Sequence, residues 1–463
     1  MSPASRREFL RRAGAFSLLR AAAPLGLQLA GISAAAAASQ PDDYRAIVCL
    51  FMYGANDGHN TVVPLDAEGY ARYAAARTVI TLPREDLLAL PTAPAARPLG
   101  LHPALAPLQK LYQRGTAALL ANVGPLVVPI KDAATFKNTT IARPPKLFSH
   151  NDQQAIWQSF SPEGAKIGWG GRIADLLAAQ NGKHLFTAIS AAGNAVFLAS
   201  DKTIQYQISN SGAIGFNRLG ATNIYGSAKG AEALRAQLSA SQNDLFAQEY
   251  AAVVNRSMAA HGLVSSALAG LPETDPRIAL PATLQQDKLA QQLRIVARMI
   301  GVRNDDNIQQ HRQVFFVSLN GFDTHDHQLG KQAELLHSVA ESVAYFQASM
   351  EALGVADKVT LFTASDFGRA LLSNGDGSDH GWGNHHFIVG GAVRGGQVYG
   401  QFPDPGLNTG TDVGNGRLLP TTAVDQYAAT LARWMGVRDG DLPQVLPNVT
   451  HFATSDLGFM GKA

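Results

Sequence analysis

The amino-acid sequence predicts an α/β fold: a mostly parallel, doubly wound sheet with helices on both faces, plus a helical insertion. Three observations carry that expectation. Short, continuous apolar runs recur at residues 46–51, 117–123, 314–319 and 359–363, as in strands buried on both faces. Stretches of helical spacing stand between them, notably 101–114 and 331–353, which is the alternation of βαβ units. From about 205 to 300 the chain turns rich in Ala, Gln and Leu, with helical periodicity at 231–254 and 284–300, so helices are expected there instead of more sheet.

Each element has a local reason. The run 46–51 breaks at Gly54 and Gly58, a buried strand passing into a loop. Gly115 stops the 101–114 helix, and the strand 117–123 follows at once. Ser149-His150-Asn151-Asp152 opens a helix running through Trp157, with Ser149 or Asn151 as its N-cap. Near the end, Phe387-Ile388-Val389 reads as a strand and residues 393–398 as a Gly-Gly hairpin. The 463 residues, 46% of them hydrophobic, allow a large core and exclude a disordered chain. One cysteine, Cys49, excludes a disulfide framework and any Cys-based zinc or iron–sulfur site; inside an apolar strand it reads as core.

Charge separates the N-terminus from the rest. Residues 1–39 hold five Arg and one Glu, a net +4 within a total of +2, so the remainder is slightly acidic. No nucleic-acid partner is expected of it. The order Ser5-Arg6-Arg7-Glu8-Phe9-Leu10, an apolar stretch, then Ala34 to Ala38 is that of a secretory signal cleaved near Ala38. The Arg-Arg pair before Phe-Leu resembles a twin-arginine export signal. Arg20, Pro24 and Gln28 interrupt the apolar stretch, so no permanent membrane span is expected. These features predict an export signal over 1–39, a single α/β domain over 40–463, the twin-arginine translocase as partner during export, and a periplasmic or secreted product.

Ligands in open α/β sheets bind beyond the carboxyl ends of the strands. There the chain places Asn56-Asp57-Gly58-His59-Asn60, Asp323-Thr324-His325-Asp326-His327 and Ser365-Asp366-Phe367-Gly368-Arg369. Asp379-His380 and His385-His386 follow, and six of the thirteen histidines fall between 325 and 386. Asp with neutral imidazole is a ligand set for zinc, manganese or iron, whereas calcium and magnesium prefer oxygens alone. Every member also has a plain structural reading. Asp57-Gly58 suits a turn, Asp323 and Ser149 suit helix caps, and Asp366 with Arg369 suits a buried ion pair. Asp379-His380 suits a loop packed by Trp382, and one of His385 and His386 should face the core. No G-x-S-x-G elbow, G-x-x-x-x-G-K-[ST] loop or H-E-x-x-H helix is present.

Longer stretches carry a resemblance. They are 51–64 (FMYGANDGHNTVVP), Gly321-Phe322-Asp323-Thr324-His325, Ser365-Asp366-Phe367-Gly368-Arg369 and Asp379-His380-Gly381-Trp382-Gly383. Leu101-His102-Pro103, Ser149-His150, Gly168-Trp169-Gly170-Gly171-Arg172 and Gly416-Arg417-Leu418-Leu419-Pro420 through Tyr427 to Trp434 belong with them. Over nearly the whole mature chain the sequence resembles the bacterial domain-of-unknown-function family 1501, exported proteins of the alkaline-phosphatase-like superfamily. The resemblance implies that fold for residues 40–463 and a site built around one or two divalent ions, zinc or manganese first. In the superfamily's chain order, metal would be held by Asp57, Asp323 with His325 or His327, Asp366 and His380, and Ser149 would attack. Where that superfamily has Asp-His, this chain has Asp366-Phe367, which removes one imidazole; Asp379-His380 can replace the pair, with His385 or His386 as a last ligand.

The expectation that follows is an exported metal-dependent hydrolase of phosphate or sulfate esters, acting on a small-molecule or glycan ester. Arg369 or Arg172 would hold the ester's oxygens. A non-catalytic exported binding or assembly protein with a degenerate site is the alternative. A metal-dependent transferase acting on surface glycans is a third reading.

Overall fold

The apolar run after Arg45 becomes β1 (Arg45–Tyr53), the middle of the main sheet. The computed structural model describes residues 43–91, 96–214, 223–224, 226–239 and 244–461; the export signal expected at 1–39 and the cleavage expected near Ala38 lie outside the described residues. The elements below belong to one unit, Arg45–Ala463.

The other main strands are β2 (Ala117–Gly124), β3 (Ala188–Ser190), β4 (Arg312–Asn320), β5 (Val359–Ser365) and β6 (Asn384–Val389). Across the sheet the order is Val398–Gly400, β2, β6, β5, β1, β4, β3, Tyr206–Ser209, Gly212–Ala213. β1 pairs in parallel with β5, from Ala46 opposite Val359 to Met52 opposite Ser365, and with β4, from Arg45 opposite Arg312 to Tyr53 opposite Asn320. This register ends three strands along one line, so Gly54, Gly321 and Asp366 leave the sheet side by side. β6 runs antiparallel to both β5 and β2, which brings the residues before Asn384, His380 among them, to the same edge.

β1 is buried along nearly its whole length, as a strand covered on both faces must be. Ile47, Cys49 and Phe51 share one face with Phe316, Phe362 and Ile388. That face carries side chains of α3 (Trp169–Leu177) and α7 (Val424–Met435), among them Trp169, Ile173, Tyr427 and Leu431. Helix α5 (Lys288–Gly301) packs on β4 and on α6 (Gln328–Ala352). Its buried Leu289, Leu293, Val296 and Ile300 recur at helical spacing and form one apolar stripe. Within 205–300, the described elements also include the short strands Tyr206–Ser209 and Gly212–Ala213, the helix Ala228–Ser239 and α4 (Leu245–Ala269). The sheet's edge thus extends into this segment, and the segment's last helix packs on the sheet itself.

The expected Gly-Gly hairpin at 393–398 is not formed. Val398–Gly400 instead pairs in parallel with β2, on the side opposite β6. Gly396, at φ +69, donates its N–H to the Ala117 carbonyl, and a Cβ on Gly395 would lie 2.5 Å from the Gly115 carbonyl carbon. The two glycines let the chain pass closely around the start of β2. Glycine has the same use at the end of β1: Gly54 turns at φ +105, and a Cβ there would stand 2.4 Å from the Asp323 backbone nitrogen. Only glycine lets the β1 and β4 ends approach this far.

Candidate metal centre

Four side chains from three separate segments converge beyond the carboxyl ends of β1, β4 and β5. His150 is the first residue of α2 (His150–Ser159), Asp323 and His325 follow β4, and His380 ends the short strand Ser378–His380. His380 Nε2 lies 3.0 Å from His150 Nε2 and 3.0 Å from His325 Nε2. Asp323 Oδ1 stands 3.1 Å from His325 Nε2, 3.4 Å from His150 Nε2 and 3.5 Å from His380 Nε2.

The opposite ring nitrogens settle what these atoms are. His150 Nδ1 is 2.6 Å from Asp366 Oδ2, and His380 Nδ1 is 2.7 Å from the Phe148 carbonyl. His325 Nδ1 faces Asp379 Oδ1 at 3.3 Å. A carboxylate or carbonyl oxygen only accepts, so the Nδ1 atoms of His150 and His380 carry protons, and the Nε2 of each ring, when neutral, turns a lone pair inward. The Nε2 atoms of these rings and Asp323 Oδ1, which also accepts from Arg369 Nη1, then face one another, an arrangement that suits a cation or a shared proton. The separations among His150, Asp323 and His380, 3.0–3.5 Å, match the edge of about 3.3 Å of a tetrahedron with arms of about 2.0 Å, the usual zinc–imidazole length. An oxygen acceptor behind each ring is the typical outer layer of a metal-bound histidine. His150, Asp323 and His380, with His325 beside them, therefore fit a divalent cation.

The surroundings hold this geometry in place. Asp366 is fully buried and accepts from the Gly54 N–H at 3.2 Å and from Gln154 Nε2 at 2.7 Å. Arg369 is likewise buried; Nη1 donates to Asp323 Oδ1 at 2.8 Å and to the Gly54 carbonyl at 3.2 Å, while Nε donates to the Ser378 carbonyl at 2.9 Å. The Phe367 ring packs 4.8 Å from the His150 ring and 4.9 Å from the His380 ring, centroid to centroid. Lys146 at φ +48 and Phe148 at φ +71 put two non-glycine residues of the loop before His150 in the left-handed region. Such positions cost on the order of 1–3 kcal/mol each and gather at functional sites. On the other side the cluster opens to solvent, with the Asp323 side chain 46% exposed and that of His325 43%.

Charge follows the same plan. Burial works against the charged form of His150, yet the Asp366 bond and the carboxylates of Asp366 and Asp323 carry its pKa above the ordinary value. Burial lowers that of His380, outweighing its bond to the Phe148 carbonyl. Partial burial of Asp323 acts upward, but the Arg369 bond and charge hold its carboxyl below the usual range.

Several residues expected at the site do other work. Asp57 is buried against Arg77 and Gln328, and its Oδ1 accepts from the His59 N–H at 2.9 Å as the N-cap of α1 (Gly58–Thr61). Its carboxylate is already neutralised by a guanidinium. Asp366 meets His150 Nδ1, so it stands behind a candidate ligand and not among the four converging atoms. His327 is 78% exposed, with Nδ1 3.7 Å from both Asp326 and Asp376, and makes no contact with the cluster among the described residues. Ser149 holds the N-cap position of α2 but makes no backbone cap bond; its Oγ donates to Asp152 Oδ2 at 2.8 Å. Arg369 uses its donors on Asp323 and on the Gly54 and Ser378 carbonyls, so its guanidinium is not placed to hold an ester, and Arg172 Nη1 donates to the Val445 carbonyl at 3.0 Å. His385 stacks on Phe402 and accepts from the Asn122 N–H, and His386 lies between Trp157 and Tyr427; both are core. His150 is the member not expected as a ligand. Its sequence signal, an imidazole opening a helix directly after the candidate nucleophile, was visible in Ser149-His150.

A family model described as "Protein of unknown function (DUF1501)" matches residues 44–445. No curated protein matches the sequence. Among solved structures, Ps i-CgsB is 12% identical over 88% of this chain and 77% of its own, at a TM-score of 0.36. The lipoteichoic acid synthase LtaP from Listeria monocytogenes is 10% identical over 87% and 76%, at 0.34. The PsFucS1 sulfatase from Pseudoalteromonas sp. is 10% identical over 90% and 74%, at 0.35. Likeness at this level transfers neither a site nor a reaction.

Proposed function

The chain belongs to the DUF1501 family, and from that premise we propose that it is an exported metal-dependent hydrolase of phosphate or sulfate esters. The observation that carries the reading is the convergence of His150 Nε2, His380 Nε2 and Asp323 Oδ1 at 3.0–3.5 Å, with His325 Nε2 3.0 Å from His380 and the rings of His150 and His380 hydrogen-bonded from behind. His150, Asp323 and His380, with His325 beside them, would hold a divalent ion, zinc or manganese. Bound there, the ion supplies Lewis-acid polarisation of an ester oxygen.

This chain's residues supply the rest. Asp366 and the Phe148 carbonyl keep the rings of His150 and His380 in the tautomer that offers Nε2. Arg369 fixes Asp323 and neutralises part of its charge. Ser149 is the nucleophile: it directly precedes His150, and its hydroxyl is oriented by Asp152. Attack by Oγ on phosphorus or sulfur breaks the bond to the ester oxygen and leaves the group on Ser149; the Oγ proton passes to solvent, which protonates the departing alkoxide to the alcohol. Water then attacks the phosphorus or sulfur, its proton returning through solvent to Oγ, and frees the serine and the inorganic anion. The N-terminus of α2 favours the anionic group beside it.

The test is hydrolysis of a panel of phosphate and sulfate esters by the full chain, compared with Ser149→Ala and His150→Ala. Turnover abolished by both variants supports the reading. Activity retained in Ser149→Ala moves the attack to water, and no turnover of any ester by metal-loaded protein rejects it. The alternative, a binding or assembly protein, draws its support from Phe367 and from the Arg77–Asp57 pair, each of which occupies a position the resemblance assigns to metal binding. Export rests on the 1–39 segment, and no helix among the described residues is long and apolar enough to cross a membrane. Cell fractionation with Arg6→Lys and Arg7→Lys variants tests it, since both should retain the chain inside the cell.

A further inference from the structure

We propose that Arg417 is the anion-recognition residue of this site, gripping the non-bridging oxygens of the tetrahedral group under attack; the proposal rests on the ester-hydrolase reading. Two contacts fix its guanidinium. Nε donates to the His380 carbonyl at 3.0 Å, and the guanidinium carbon lies 4.7 Å over the centre of the Phe148 ring. These same two residues are already joined, because His380 Nδ1 bonds the Phe148 carbonyl at 2.7 Å. Arg417 thus rests on the pair that orients one of the candidate ligands.

Its donors distinguish it from the other arginines near the cluster. Arg369 is fully buried and spends Nε, Nη1 and Nη2 on Asp323 and on backbone carbonyls. Arg417 is half-buried, and its Nη1 and Nη2 have no protein partner among the described residues. A guanidinium held at Nε and stacked on a ring has lost its freedom before any ligand arrives, and its two Nη groups form the fork that fits a phosphate or sulfate edge. The chain also bends to place it: Gly416 turns at φ +71, and its carbonyl accepts from the Leu371 N–H at 2.8 Å, tying the 416–417 turn to the strand Arg369–Ser373. The Gly416-Arg417 motif of the sequence is thereby accounted for.

Calorimetric titration of the zinc-loaded full chain with inorganic phosphate, and separately with inorganic sulfate, tests the assignment. Elemental analysis of the same samples reports the bound metal. Arg417→Gln should weaken binding of the preferred anion about 10- to 100-fold with metal content unchanged. Arg417→Lys, which keeps the charge but loses the fork and the Nε bond, should recover only part of that loss. Tighter phosphate or tighter sulfate binding by the parent chain both support the proposal and name the ester. Binding by Arg417→Gln equal to the parent chain, or no anion binding by metal-loaded parent chain, overturns it and leaves the metal centre standing. Failure of the parent chain to take up metal is a different result: it removes the hydrolase reading, and Arg417's role falls with it.

Discussion

His150 Nδ1 lies 2.6 Å from Asp366 Oδ2, so the carboxylate that directly follows β5 acts on the cluster through an imidazole. Buried, and held by the Gly54 N–H and Gln154, Asp366 cannot leave that position cheaply. It fixes the His150 tautomer, and with it the direction of one inward lone pair.

Asp366→Asn should therefore weaken metal binding without abolishing it. Outer partners of metal-bound histidines typically contribute about 10- to 100-fold in affinity. Chelator competition on the folded variant measures this. A loss as complete as that of His150→Ala would make Asp366 a direct ligand.

The pair His325 and His327 separates the cluster from its neighbourhood. His325→Ala should lower metal affinity, because its Nε2 stands 3.0 Å from His380 Nε2. His327→Ala should leave metal content at the parent value, with a change in stability on the order of 1 kcal/mol traceable to its left-handed backbone (φ +49) at the start of α6. Elemental analysis and urea unfolding of the two variants check the contrast.

Arg77 and Asp57 form a fully buried ion pair. Arg77→Met should destabilise the chain by about 3–5 kcal/mol, since it leaves the Asp57 charge uncompensated. Asp57→Asn should cost less and keep the metal. Loss of metal from folded Asp57→Asn would return Asp57 to the ligand set.

Acid should weaken the fold through His386. Burial between Trp157 and Tyr427 lowers its pKa from 6.5 to about 3, so the folded chain keeps it neutral while the unfolded chain takes up a proton below 6.5. Its contribution is present in full above pH 6.5 and is lost as pH falls towards 3. The amount is on the order of 5 kcal/mol. Urea midpoints between pH 7 and pH 4 should fall, and less steeply in His386→Phe.

The fold was legible because the central strands are apolar on both faces and each stops at glycine or a polar loop. Asp323, His325 and His380 were legible for the same reason: a strand-end position and a dense run of histidines. Asp57 and Asp366 looked like ligands because position alone does not reveal a partner. Arg77 reaches Asp57 from the end of the helix Ala67–Arg77, and His150 reaches Asp366 from across the sheet edge. Such pairings depend on packing, and no local spacing encodes them. The 393–398 segment misled in another way, because Gly-Gly serves a close backbone passage as readily as a tight turn.

The account rests on the cluster of His150, Asp323, His325 and His380 as a cation site. Elemental analysis of the full chain, purified after its own maturation, tests this most directly when the parent is set beside folded His150→Ala and Asp323→Ala. About one equivalent of zinc or manganese per parent chain is expected, in keeping with a single centre at His150, Asp323 and His380, with its loss in both variants. Folded parent chain that neither carries nor takes up a divalent metal, or variants that keep it, would contradict the account.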